Sequence, residues 1–337
     1  MTPELISLDH GSGGKIAHRL TAELLLPLFD NPILSDLHDG AVLTLNGNTR
    51  VAFSTDTFTV TPLFFPGGDI GELAVNGTVN DVAMCGATPL FISLALIIEE
   101  GFPMAELTRI LESINRAANA AGVTVVTGDT KVVPKGAADG LFINTSGIGL
   151  IPEDVRIGST GAQPGDKIIL SGTMADHGMT IMTQREGLTF DSAIESDSAP
   201  LNHMVAKILA ASSNVHVLRD PTRGGVGTTL NEIAESSQAG IVLQESWLPM
   251  HDAVAGVCEL LGFDPLYVAN EGKLLAFVAA EDAEAVLAAI RSDTYGREAC
   301  IIGEVTAEHP NQVVLETRIG GRRIVDMLTG EQLPRIC

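Results

Sequence analysis

The stretch Asp69-Ile70-Gly71-Glu72-Leu73-Ala74-Val75-Asn76-Gly77-Thr78-Val79-Asn80-Asp81-Val82-Ala83-Met84 sets the frame for what surrounds it. Its spacing is helical, and Asp69 followed three residues later by Glu72 has the form of a capping box with an acidic cap, so a helix is predicted over 69–84 with Asn80 and Asp81 in its last turn. Upstream, Val42-Leu43-Thr44-Leu45 and Arg50-Val51-Ala52-Phe53-Ser54 read as strands between polar breaks, with Asp39 and Asp56 at the breaks. Downstream, the apolar run Leu90 to Ile98 reads as a strand, and a second helix is predicted from near Pro103 to just before Gly122. Val123 to Thr127 reads as a strand ending in Gly128-Asp129-Thr130-Lys131, which sets a carboxylate and an ammonium at its C-terminal edge, where glycine lets a ligand approach the backbone. A strand from Leu141 to Ile151 closes this half.

The pattern restarts near Gly165 with a strand from Lys167 to Leu170, then a helix, a strand from Val215 to Leu218, and a helix after Thr222-Arg223-Gly224-Gly225. That alternation predicts α/β packing with helices covering a sheet. Prolines and glycines between Pro152 and Pro164 mark a boundary. The expected organisation is a domain over 1–155, a second over 156–327, and a mobile tail over 328–337 that spans at most ~33–36 Å when extended.

A chain of 337 residues with 45% hydrophobic content can bury two cores. Its 20 basic against 42 acidic residues give a net charge of -22, which repels nucleic-acid phosphates and anionic lipid. The most apolar run is about half of the ~20 residues a membrane-spanning helix needs, and Met1-Thr2-Pro3-Glu4 lacks a basic leader region, so a cytoplasmic protein is expected. Cys85, Cys258, Cys300 and Cys337 show no paired spacing, and the first three read as core residues.

Neither Gly14-Lys15 nor Gly272-Lys273 continues into a P-loop, and Gly11 and Gly13 lack the third glycine of a dinucleotide fingerprint. His10-Gly11-Ser12-Gly13-Gly14-Lys15 is either a phosphate-wrapping loop or a flexible arm. Arg219-Asp220-Pro221-Thr222-Arg223-Gly224-Gly225 opens a helix whose amides attract phosphate, or is a capped turn. Asp39, Asp56, Asp81 and Asp129 have the oxygen chemistry of Mg²⁺ ligands, although aspartate more often serves as a turn or cap. Lys131 could neutralise a phosphoryl group, and Glu271 could act as a base if desolvated; the alternatives are a surface lysine and a turn. The least ordinary feature is the ending Leu333-Pro334-Arg335-Ile336-Cys337. With Cys last rather than fourth from the end it is no prenylation box, and an exposed free thiol invites oxidation, so a buried or functional purpose is favoured.

Together His10 to Gly14, Phe53 to Asp56, Pro62 to Gly68, Asn80 to Ala83, Val126 to Lys131, Arg219 to Gly225, Asn270 to Lys273 and Pro334 to Cys337 resemble the HypE family of hydrogenase maturation factors, within the aminoimidazole ribonucleotide synthetase-like ATP-binding superfamily. One departure is His38-Asp39-Gly40-Ala41, where superfamily members often carry two adjacent acidic residues. The resemblance implies a two-domain α+β / α/β fold with N-terminal strands shared as a barrel in a homodimer, a C-terminal α/β domain, and ATP between the domains near the dimer interface. It implies Mg²⁺ on Asp39, Asp56, Asp81 and Asp129, and ATP or phosphate on His10, Gly11, Gly13, Gly14, Asn80, Thr130, Arg223, Gly224 and Gly225. Lys131 is implied to contact phosphate, with Glu271 as base and Cys337 as carrier of a carbamoyl group that ATP-dependent dehydration converts to a thiocyanate. The implied partners are a HypF-like carbamoyltransferase and a HypC–HypD-like complex that builds the iron cyanide ligand of a [NiFe] hydrogenase. The alternatives are a selenophosphate synthetase, which is expected to carry Cys or selenocysteine in the N-terminal glycine loop and meets none at residues 10–15, and a non-catalytic scaffold that turns over no ATP.

Overall fold

The computed structural model describes residues 5–337 apart from 12, 30, 189, 191–192, 331–332 and 334. Met1 to Glu4, Ser12 and Pro334, each used above, lie outside the described residues.

After two short helices, α1 (Lys15–Leu20) and α2 (Leu26–Phe29), the first domain comprises β1 (Ala41–Thr44), β2 (Arg50–Phe58), the short pair β3 (Phe64–Phe65) and β4 (Gly68–Asp69), α3 (Ile70–Met84), β5 (Thr88–Glu99), α4 (Met104–Ala121), β6 (Thr124–Val133) and β7 (Leu141–Ile151). Its main sheet has the order β1-β2-β7-β5-β6, antiparallel except for the β5–β6 pair that α4 connects. Asp69 caps α3 as expected, accepting from the Gly71 and Glu72 amides at 2.8 and 3.1 Å. Almost every residue of α3 is buried, because it lies between the sheet, α4 and the second domain. Phe58, Ile70, Leu73, Ile92, Ile110, Leu141 and Ile143 form the core between sheet and helices. On the opposite face Phe53, Phe91, Ile148 and Leu150 stand exposed, and β6 is an exposed edge over residues 124–132.

Two local expectations are corrected. The strand expected to stop at Thr127 continues to Val133, so Asp129 and Lys131 stand mid-strand. Gly128 is no break: a side chain there would collide with the Leu94 carbonyl, so the glycine marks a close approach within the ladder. Asp56 likewise lies inside β2, whose polar run Ser54 to Thr57 keeps full pairing with β7.

The second domain comprises β8 (Lys167–Leu170), α5 (Asp176–Glu186), α6 (Asn202–Ala211), β9 (Val215–Arg219), α7 (Gly225–Ser236), β10 (Gly240–Gln244), α8 (Asp252–Leu261), β11 (Leu275–Val278), α9 (Ala283–Arg291), β12 (Cys300–Thr306), β13 (Val313–Glu316) and β14 (Arg322–Val325). The sheet order is β14-β13-β10-β12-β8-β11-β9, and only β10 and β13 run parallel. The strand–helix alternation therefore yields a mixed, mainly antiparallel α+β sheet. Side chains alternate across it: Ile168 and Leu170 join the core that includes Val226 and Leu230 of α7, and Ile169 joins the core under α6 and α9. Among the described residues no helix is long and apolar enough to cross a membrane.

The domains are joined by buried polar contacts. Asn80 donates to the Ala199 carbonyl and accepts from the Leu201 amide, at 3.0 and 2.8 Å. Nearby, burial and then Asp69 push the Glu72 carboxyl up to about 7. An acid raised from 4.5 favours its neutral form in the fold, so the stability present below the unfolded value is lost as pH rises through about 7. Glu72→Gln should leave the melting temperature unchanged at about pH 4 and raise it at about pH 8. An equal shift at both pH values in a calorimetric scan would contradict this.

Candidate active site

A cavity of about 260 Å³ between the domains is lined by Asp39, Asp56 and Asp81 from the first, by Arg219, Asp220, Arg223 and Glu271 from the second, and by Cys337. The last turn of α3 carries Asp81 to the cavity, where Ser54 Oγ donates to its Oδ2 at 2.7 Å. Asp56 projects from β2 with Arg223 Nη2 3.9 Å from its Oδ1. Asp39, just before β1, pairs with Arg219 Nε at 2.6 Å, and Arg219 Nη2 reaches Glu232 at 2.7 Å.

Burial raises Asp81 well above the carboxylate range, and the charges of Asp220, Asp56 and Asp39 raise it further. Burial is also the largest cause of the rise at Asp39, which Arg219 opposes. Asp220 is pushed up to about 6, again mainly by burial. Several carboxyls thus oppose one another's ionisation across one space, which is what a bound cation relieves. Among the described residues no three ligating side chains stand close enough to form a ready metal cage. The donors are nonetheless hard oxygens suited to Mg²⁺, and Asp39 Oδ2 is buried without a hydrogen-bond partner.

Asp220 and Arg223 lie in the turn between β9 and α7. Gly224 and Gly225 have φ of +79° and +61°, and a Cβ on Gly225 would stand 2.6 Å from the Leu266 and Val268 carbonyl oxygens. Only glycine fits, so the α7 N-terminus opens toward the cleft uncapped by any side chain. Gly13, with φ +77°, presses on the Arg223 backbone and lines the cavity. Gly11 and Gly224 line an adjoining space of about 270 Å³ that also reaches Arg223 and Cys337.

Glu271 is buried just ahead of β11, with its amide donating to Asp197 Oδ1 at 3.1 Å and its carbonyl 3.4 Å from Asn80 Nδ2. Burial, then Asp56, raises its carboxyl well above the usual range. The buried Cys337 thiol lines the same cavity as Glu271, and desolvation holds it neutral although Arg223 opposes this. The tail expected to be mobile is therefore seated. The Thr59 amide donates to the Cys337 carbonyl oxygen at 3.0 Å, the Thr61 amide to Arg335 at 3.2 Å, and Arg335 Nε to the Thr59 carbonyl at 3.0 Å.

Of the residues expected at the site, the structure brings together Asp39, Asp56, Asp81, Gly11, Gly13, Arg223, Gly224, Glu271 and Cys337. Asp129, Thr130 and Lys131 are elsewhere in the chain's own fold, because β6 lies three strands from β2 at ~4.8 Å per strand. Lys131 Nζ pairs with Asp129 Oδ2 at 2.6 Å on the exposed edge. Asn80 is a buried tether between domains rather than a cavity ligand. His10 accepts from the Ser7 amide at 3.1 Å and lines neither cavity, and Gly14 packs on the Leu328 carbonyl at the root of the tail. Asp220 joins the site without having been expected as a ligand; its place between Arg219 and Arg223 is the sequence signal for it. Cys85 and Cys258 are buried as expected, whereas Cys300 is only partly so.

Residues 37–151 match the model of the AIR synthase related protein, N-terminal domain, and residues 163–316 that of its C-terminal domain. The carbamoyl dehydratase HypE of Cupriavidus necator is 54% identical over 332 residues, covering 98% of this chain and 95% of that one. The chain belongs to the HypE family. A crystal structure of the hydrogenase maturation protein HypE in complex with ATP superposes with a TM-score of 0.83 at 52% identity, covering 99% of this chain and 100% of the other. A HypE–HypF complex contains a chain that matches with a TM-score of 0.87 at 48% identity, over 92% of this chain and 99% of that one.

For an apo carboxyl raised to about 6, stability is lost as pH climbs through that value, and a cation removes the loss. Mg²⁺ should therefore raise the melting temperature more at about pH 7.5 than at about pH 5, and Asp220→Asn should shrink that difference. A magnesium shift independent of pH, read by thermal melts, contradicts the assignment.

Proposed function

We propose that the chain is an ATP-dependent carbamoyl dehydratase acting on a carbamoyl group carried by its own Cys337, and supplying cyanide for the iron centre of a [NiFe] hydrogenase. The observation that carries this reading is the buried Cys337 residue lining the interdomain cleft together with Glu271, Arg223 and the aspartates. A thiol placed there puts an attached amide among phosphate-binding and proton-accepting groups.

A carbamoyl group on sulfur holds a poor leaving oxygen. Transfer of the γ-phosphoryl group of ATP to that oxygen forms an O–P bond and releases ADP. Loss of one N–H proton leaves a C=N bond; loss of the second, with cleavage of C–O, gives S–C≡N and phosphate. Arg223 and the α7 amides would hold phosphoryl oxygens, where positioned charge does most of the catalytic work. Glu271, desolvated and therefore strongly basic once ionised, would take the N–H proton. Asp56, Asp81 and Asp220, with Asp39 beside them, would hold a Mg²⁺ ion, whose charge would offset phosphate charge and the carboxylate charges that keep Glu271 protonated.

Asp129, Thr130 and Lys131 enter this scheme through a second copy of the chain. The open apolar face of the first sheet and its uncovered β6 edge support a homodimer with the strands shared as a barrel, which would deliver Lys131 to the partner's cleft. The units assigned are 1–155 for nucleotide binding and dimerisation, 156–327 for the α+β domain, and 328–337 for the carrier tail. A HypF-like carbamoyltransferase would load Cys337 and a HypC–HypD-like complex would take the cyanide, in the cytoplasm.

Carbamoylated protein given Mg-ATP should lose one water at Cys337, read by mass spectrometry of the C-terminal peptide; an intact carbamoyl group after ATP addition rejects the reading. Glu271→Gln and Lys131→Ala should each slow dehydration by roughly 10²–10⁴-fold while still folding. Mixed dimers of these two variants should regain activity, since one of the two clefts then has both wild-type groups. Failure to complement places Lys131 outside the partner's site.

A further inference from the structure

Helix α5 takes no part in the chemistry above, yet one of its faces carries the chain's last residues. His177 is fully buried and uses both ring nitrogens: Nε2 stands 2.7 Å from the Ile336 carbonyl oxygen and Nδ1 2.8 Å from Ser196 Oγ. A carbonyl can only accept, so Nε2 carries the hydrogen and Nδ1 must accept. Ser196 Oγ then donates to Nδ1, and it accepts in turn from the Ser198 amide at 3.1 Å. Every member has one consistent role, and burial holds the ring neutral. The Ser196 amide donates to the Pro66 carbonyl at 2.9 Å, which ties this chain of bonds to the first domain. Phe65 meets the ring edge-on at 5.6 Å.

Two turns along α5, Arg185 Nε donates to the Thr61 carbonyl at 2.6 Å, and its Nη2 reaches the Arg335 carbonyl. One guanidinium thus clasps the tail and the segment beside it. Between these two residues lies Gly178, where a Cβ would stand 3.1 Å from Leu333 and closer still to Val268. Arg335 takes φ +53°, a conformation that L side chains adopt only under constraint. All three tail contacts recognise main chain or an aliphatic side chain; none touches the thiol.

We propose that His177, Gly178 and Arg185 form a seat that fixes the register of the tail, and that they are positioning residues for the reaction at Cys337. The proposal rests on Cys337 being the carrier. Because the seat grips the carbonyl one residue before the thiol, it sets where the sulfur lies without hindering what the sulfur carries. A shift of one residue would reverse which groups face α5 and withdraw the sulfur from Glu271 and Arg223. An undocked tail takes from His177 Nε2–H its partner, and re-forming that bond favours return to the seat.

The test uses the full chain. In unmodified protein, iodoacetamide should alkylate Cys337 about tenfold faster in His177→Phe than in wild type, corresponding to loss of one buried hydrogen bond. Single-turnover dehydration of the carbamoylated variant should slow by about the same factor. His177→Gln, whose amide can donate to the Ile336 carbonyl, should restore both toward wild type. Arg185→Met should repeat the pattern if His177→Phe fails to fold. Unchanged Cys337 alkylation in the folded variants overturns the seat, as does an equal acceleration at buried Cys258, which would report general loosening. The alkylation arm needs no carbamoyl group, so a seat that passes it while wild-type protein keeps its carbamoyl intact rejects the dehydratase reading instead.

Discussion

The architecture depends on keeping several carboxyl groups ionisable in one buried space with little positive charge beside them. Asp39, Asp56, Asp81, Asp220 and Glu271 share a cavity in which Arg219, at the end of β9, and Arg223, in the β9–α7 turn, are the cations. Arg219 is almost wholly committed, since it lies between Asp39 and Glu232 and locks one domain to the other. Arg223 remains, and burial and mutual repulsion raise Asp81, Asp220 and Glu271 together. In water such charges interact by about 1 kcal/mol at 4 Å, and several times more in a drier site. A cleft built this way is incomplete as a resting structure and complementary to cations and phosphate bound together.

That electrostatic arrangement places tight demands on the segment Arg219 to Gly225. It must place two guanidiniums and a carboxylate within one loop, and then start a helix whose free amides face the same space. Gly225, with positive φ, fits under the Leu266 and Val268 carbonyls, and Gly224, also with positive φ, packs against Thr228. The net charge of -22 fits the same picture, since the chain repels polyanions in general and must attract a phosphate locally.

The elements with strong local signals are legible in the sequence. The capped helix at Asp69, the apolar strand around Leu90 to Ile98 and the helix ending at Gly122 lie where propensity and capping put them. What was not legible depended on contacts distant in sequence. Gly128 reads as a strand end, and only the approach of the Leu94 carbonyl explains a glycine in mid-strand. Asp56 reads as a turn residue, because Ser54 to Thr57 lacks the apolar alternation that the facing β7 makes unnecessary. The oxygen chemistry of the site could be read from residue types, but not that Asp129 and Lys131 lie apart from Asp56. Strand order, and therefore distance, is not encoded in local pattern.

The seated tail is the point at which these physical terms come closest to balance. Burying Leu333 and Ile336 contributes roughly 3–6 kcal/mol. The hydrogen bonds from Thr59, Thr61, His177 and Arg185 add about 2–6 kcal/mol. Ordering the last five residues costs about 5–10 kcal/mol. With terms so nearly equal, the polar contacts along α5 decide whether the sulfur sits in the cleft or outside it. Under the proposed function, a carrier residue loaded by another protein and reacting in its own cleft would need both positions accessible. A tail held by a much larger apolar surface would resist release, and one without His177 and Arg185 would lack a defined register on return. The modest apolar content of Leu333-Pro334-Arg335-Ile336-Cys337, with specific main-chain bonds around it, suits that double requirement.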